Sequence, residues 1–70
     1  MDVISSSFPQ RFRQLRQRRK LSGRVLSELL GLSKNMVFRY EKGECEPSLT
    51  VAVTMAEFFD VSLDYLAGKE

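Results

Sequence analysis

Apolar residues in this chain recur at spacings of three and four, the period of amphipathic helices. Phe8, Phe12, Leu15 and Arg19 place a first helix at about 8–19, with Ser7 as its cap and Pro9 in its first turn, where a missing N–H does no harm. Leu21 then drops toward the core. Ser22 caps a second helix with Val25, Leu26, Leu29 and Leu30 on or near its inner face, and Gly31 ends it in the left-handed conformation. Leu32 plugs the turn. Ser33 caps a third helix whose inward positions are Val37 and Tyr40, with Met36 at the margin, and Gly43 stops it. After a surface loop, Glu44-Cys45-Glu46-Pro47, Ser48 caps a fourth helix from about 49 to 59, with Leu49, Ala52, Met55, Ala56 and Phe59 on one face. Asp60-Val61 turns the chain, and Ser62 caps a short fifth helix, Leu63 to Ala67, closed by Gly68.

Five short helices without a convincing strand predict an all-α fold. They form one compact domain over 8–68, preceded by a disordered tail over 1–7, where no periodicity is visible. The 70 residues leave no room for a second core, and 43% apolar with 29% charged residues is globular rather than disordered chemistry.

Composition removes several function classes. A single cysteine, Cys45, forbids an internal disulfide, and without histidine the usual zinc ligand sets are missing, so neither metal nor cofactor is expected. Apolar runs fall far short of the roughly 18 residues of a membrane span, and the N-terminus lacks a basic, apolar leader. The expected location is the cytoplasm, at the nucleoid. Catalysis finds no footing: there is no phosphate-cradling glycine loop and no carboxylate pair with a cleft, and Cys45 between Glu44 and Glu46 is not a nucleophile's setting.

Net charge is only +2, yet its distribution is uneven. Arg11, Arg13, Arg16, Arg18, Arg19, Lys20 and Arg24 follow one another with no acid among them, whereas Glu41, Glu44, Glu46, Glu57, Asp60, Asp64 and Glu70 lie later. A polyanion would be drawn to the first half and repelled by the second. The plainer alternative is that the arginines solvate helix faces.

Leu21-Ser22, Leu30-Gly31-Leu32-Ser33 and Tyr40-Glu41-Lys42-Gly43, followed by Pro47-Ser48-Leu49 and Val61-Ser62-Leu63-Asp64-Tyr65-Leu66, resemble the lambda-repressor-like DNA-binding domains. More narrowly, they are similar to Cro/C1-type (Xre-like) helix-turn-helix regulators. The resemblance covers about residues 11–68 and implies a compact five-helix domain with its helix-turn-helix at helices 2 and 3. Gly31 is expected where the two helices meet too steeply for a β-carbon. Ser27 stands where relatives usually carry alanine, so its hydroxyl is expected to bond back to a carbonyl one turn earlier.

The resemblance implies base reading by Lys34, Asn35, Phe38 and Arg39 on the outer face of helix 3. Lys34 and Arg39 suit guanine, Asn35 suits adenine, and Phe38 suits thymine methyls. The alternative reading folds Phe38 or Met36 back onto the domain or places it in a protein interface. Phosphate contacts are implied for Ser22, Gly23, Arg24, Ser33, Lys42, Arg13 and Arg16. Relatives often carry glutamine where Gly23 stands and basic residues where Glu44 and Glu46 stand, departures that bear on affinity. Arg16 and Glu41 match an ion pair that braces the reading helix. A two-fold homodimer on a palindrome is expected, with Val53, Phe58, Leu63 and Tyr65 as interface candidates. The function implied is a sequence-specific regulator of double-stranded DNA, a repressor by preference. The alternative is a protein-interaction module of the same fold, such as an antitoxin-like partner, with weak or no specific DNA binding.

Overall fold

A computed structural model describes residues 3–69 and folds them into five helices: α1 (Val3–Arg18), α2 (Gly23–Leu29), α3 (Met36–Glu41), α4 (Leu49–Phe59) and α5 (Leu63–Ala67). No strand occurs among the described residues. Helices of five to seven residues do not hold themselves together in water, because nucleating one costs more than so few hydrogen bonds return. Their stability has to come from mutual burial. α1 accordingly packs against α3 and α5, α2 against α3, and α4 against α5.

Every helix contributes to one core: Phe8, Phe12 and Leu15 from α1, Leu26 from α2, Val37 and Tyr40 from α3, Met55, Ala56 and Phe59 from α4, and Leu66 from α5. Phe12 is its hub. Its ring stacks on Phe8 at 5.4 Å between centroids and meets Tyr40 and Phe59 edge-on at 6.3 and 6.0 Å, geometries that suit the quadrupoles of aromatic rings.

All five helices stop in the same way. The residues at the left-handed position are Lys20, Gly31, Gly43, Asp60 and Gly68. In each case the next amide reaches back five residues, from Leu21 to Arg16, Leu32 to Ser27, Glu44 to Arg39, Val61 to Ala56 and Lys69 to Asp64. This satisfies carbonyls that a helix end leaves orphaned. At the other end, the hydroxyls of Ser22, Ser48 and Ser62 accept from the amides of Val25, Val51 and Tyr65.

Several expectations need correction. α1 starts at Val3 rather than near 8, so residues 3–7 continue the helix, Ser7 is not its cap, and Pro9 lies inside it. A helix can run beyond the stretch whose boundary signals are legible in the sequence. Met1 and Asp2 of the expected tail lie outside the described residues. Val25 and Leu29 face solvent, Leu29 being 56% exposed. At about 100° per residue, the buried side of α2 is centred on Gly23, Leu26, Ser27 and Leu30, because small residues let α3 come close; Val25 and Leu29 fall on the other side of the helix. Leu49 is 74% exposed although its angle on α4 is inward. It stands at the first turn, and α5, about 7.5 Å long, covers only part of α4. Ser33 does not cap α3, which begins three residues later with Asn35 at its N-cap and no side-chain cap bond. In the loop before α4, Cys45 packs against the core rather than standing in solvent.

Candidate nucleic-acid interface

The unit α2–turn–α3 is held at its crossing by Ser27, which is fully buried. The Ser27 hydroxyl donates to the Gly23 carbonyl at 2.9 Å and accepts from the Val37 amide at 3.2 Å. Val37 lies in the first turn of α3, where amides have no acceptor within the helix. Gly31 makes the turn possible through its φ of +73° and not through crowding: a Cβ built there meets nothing within 4 Å. The expectation of a steric demand at Gly31 is therefore wrong; backbone conformation alone requires the glycine.

A second brace joins α1 to α3. Arg16 Nε and Nη2 donate to the two carboxylate oxygens of Glu41 at 2.6 and 3.1 Å, and Nη1 donates to the Leu21 carbonyl at 2.9 Å. Both side chains are mostly buried, with 14% and 8% of their surface exposed. The Glu41 hydrogen bond pushes the Arg16 guanidinium above its ordinary range, so its charge is permanent. Three of the Arg16 N–H groups are thus engaged by Glu41 and Leu21.

Val37 and Tyr40 pin the inner side of α3, leaving Lys34, Asn35, Phe38 and Arg39 exposed on the outer side. Lys34 and Asn35 belong to the turn that leads into α3, since the helix starts at Met36. Arg39 is held at 3.5 Å by Glu44 from the following loop. This exposed pair is weak and exchangeable. Phe38 is neither buried nor free. It is 43% exposed, and the tip of its ring lies on Gly23 at the start of α2. Gly23 itself is buried. Of the other phosphate candidates, Ser22, Arg24, Ser33, Lys42 and Arg13 are exposed, and the Ser22 hydroxyl already serves as the α2 cap.

The basic run of α1 divides in two. Arg11 lies 4.0 Å over the Tyr65 ring and donates to the Tyr65 carbonyl at 2.8 Å. Arg19 lies over Phe58 and donates to its carbonyl at 3.3 Å. Together with Arg16, these cations serve the fold, whereas Arg13, Arg18, Lys20 and Arg24 face solvent. The resemblance implies the Arg16–Glu41 pair, but the roles of Arg11 and Arg19 were not legible in the sequence, because their partners lie 54 and 39 residues away.

A model of the helix-turn-helix family matches residues 12–66. The chain belongs to the helix-turn-helix family. It is similar to the HTH-type transcriptional regulator YobD of Bacillus subtilis, with 41% identity over 59 residues, which is 84% of this chain and 53% of that protein. It is also similar to a putative HTH-type transcriptional regulatory protein of Pyrococcus furiosus, with 44% identity over 54 residues, 77% of this chain and 17% of that one. A third relative is the HTH-type transcriptional regulator AnsR of Bacillus subtilis, with 35% identity over 60 residues, 86% of this chain and 52% of that protein. The chain thus spans about half the length of the Bacillus relatives and a smaller part of the archaeal one. No solved structure matches it significantly.

Within this lambda-repressor-like helix-turn-helix domain, the four interface candidates divide as well. Val53 and Leu63 are exposed, whereas Phe58 and Tyr65 pack partly against the core beneath Arg19 and Arg11. Leu49 and Leu29 are more exposed than any of the four. Helical periodicity places both inside, so their exposure is not legible in the sequence. No helix is long and apolar enough to cross a membrane, among the described residues.

Proposed function

We propose that this chain is a sequence-specific, double-stranded-DNA-binding transcriptional regulator, acting as a repressor by covering a promoter at the nucleoid. The observation that carries this reading is the two-sidedness of α3: Val37 and Tyr40 hold it from within while Lys34, Asn35, Phe38 and Arg39 remain exposed outside. A helix so held presents donors for guanine and adenine edges in the major groove. Arg24, Lys42, Arg13, Ser22 and Ser33 are exposed and suit phosphate contacts, which fix register without reading sequence. The family is one of transcriptional regulators rather than enzymes, and the relatives' names support the same role here.

A single such helix reads about four or five base pairs, too few to single out a genomic site. The chain therefore acts as a two-fold dimer on an inverted repeat, with reading helices about 34 Å apart. Exposed Val53 and Leu63 are available for that contact, and Phe58 and Tyr65 for its margin.

The Glu44 carboxylate beside Arg39 favours a second reading, a protein-interaction module of the same fold. Selection from a random duplex library at about 150 mM salt separates the two. An enriched inverted repeat whose base preferences relax in Lys34→Ala and Arg39→Ala supports the regulator. A bound pool without enrichment assigns the domain to a protein partner.

A further inference from the structure

We infer that Gly23 and Phe38 act as one specificity unit, in which the glycine at the start of α2 seats the Phe38 ring so that its outer edge meets the C5-methyl group of a pyrimidine, thymine in unmodified DNA. The inference rests on the DNA-reading function proposed above and deepens it.

The geometry is specific. A Cβ at position 23 would stand 2.9, 3.0 and 3.2 Å from Cζ, Cε1 and Cε2 of Phe38, the whole tip of the ring. Any residue other than glycine at 23 displaces that tip. Gly23 has no positive φ and needs no conformational freedom, so the space above it accounts for the glycine. The contact is also one-sided. Phe38 remains 43% exposed, and the core is complete without it, since Val37 and Tyr40 anchor α3. A ring fixed at its tip and open along its edge is pre-organised, and ordering it on binding costs little of the contact it makes.

The chemistry selects the ligand. Phe38 is exposed, as are Lys34 and Asn35 in the turn before α3 and Arg39 next to it in the helix. Polar base edges set against an apolar ring would lose water without gaining a partner. The one apolar group in the major groove is the thymine methyl. Gly23 and Phe38 are far apart in sequence, and the amide group a glutamine would bring to position 23 is replaced here by an apolar surface.

The test compares wild type, Gly23→Ala and Phe38→Ala, each first shown by circular dichroism to be folded, in selection from a random duplex library. It then measures each protein on the wild-type selected duplex with deoxyuridine replacing single thymidines in one half-site. Loss of one buried methyl contact should weaken wild type about fourfold at one defined position. Phe38→Ala should show no such sensitivity there, and Gly23→Ala should lose most of it. An equal response of all three proteins to deoxyuridine, or no position that responds, overturns the unit while leaving DNA reading intact. If wild type enriches no sequence at all, the DNA-reading function falls and the unit falls with it. Phe38→Ala removes an exposed side chain, so it keeps the test decisive even if Gly23→Ala is unstable.

Discussion

The hydroxyl of Ser27 in α2 caps α3: it accepts from the Val37 amide at 3.2 Å while donating to the Gly23 carbonyl at 2.9 Å. A cap normally comes from the residue just before a helix, and Asn35 at that position makes no such bond. α3 is therefore capped by the helix it crosses, which ties its position to α2 through one oxygen.

Ser27→Ala should leave the Val37 amide buried and unpaired, at a cost of about 1–3 kcal/mol. Urea denaturation would register this as a lower midpoint with an unchanged slope. A midpoint equal to that of wild type would mean that the amide finds another acceptor.

Arg16→Ala should remove the brace between α1 and α3 and strand the Glu41 carboxylate, costing about 2–4 kcal/mol. Arg16→Lys should recover only part, because one ammonium cannot span both carboxylate oxygens and the Leu21 carbonyl. Thermal melts of the three proteins at equal ionic strength give the ranking, and a lysine variant as stable as wild type would contradict the bidentate account.

Backbone conformation, not space, is at issue at the helix stops. Gly31→Ala should cost about 1–2 kcal/mol, the penalty of the left-handed region, even though its Cβ has open room. Lys20, in that region with φ +57°, should gain about 0.5–1 kcal/mol on Lys20→Gly, the relief of strain exceeding the added freedom of the unfolded chain. Opposite signs for the two substitutions in urea titrations are the expected result.

Burial pushes the Tyr40 hydroxyl above its ordinary value of 10.0, with the neighbouring Cys45 adding to the shift. A folded-state value above the unfolded one means that the native state keeps its proton longer. The resulting stability is whole below pH 10.0 and is lost as pH rises through the native value. Melting temperatures should decline above pH 10.0, and Tyr40→Phe should flatten that decline. A wild-type and variant pair with parallel profiles would exclude Tyr40 as the source.

Glu44→Gln should release Arg39 from its carboxylate and raise affinity for the selected operator by about two- to fivefold, the range open to an exposed pair. The gain should shrink as salt rises. Fluorescence anisotropy at two salt concentrations measures both effects, and no gain at low salt would show that Arg39 is not held back by Glu44.

The helix count, the three serine caps at 22, 48 and 62 and the glycine stops at 31, 43 and 68 were legible in the sequence because each depends on a few adjacent residues. So was the core stripe of Phe12, Leu15, Val37, Tyr40, Met55 and Phe59, which follows from helical period alone. Tertiary structure decided what one-dimensional spacing cannot encode. It turned Leu29 and Leu49 outward, since burial depends on which side of a helix its neighbours cover and on where those neighbours end. It also moved the α3 cap from Ser33 to Ser27 and set Arg11 against Tyr65 and Arg19 against Phe58, apart from the arginines left to solvent. The same step brought Phe38 onto Gly23. Local backbone chemistry is written in neighbouring residues, whereas these pairings exist only once distant helices have been brought into contact.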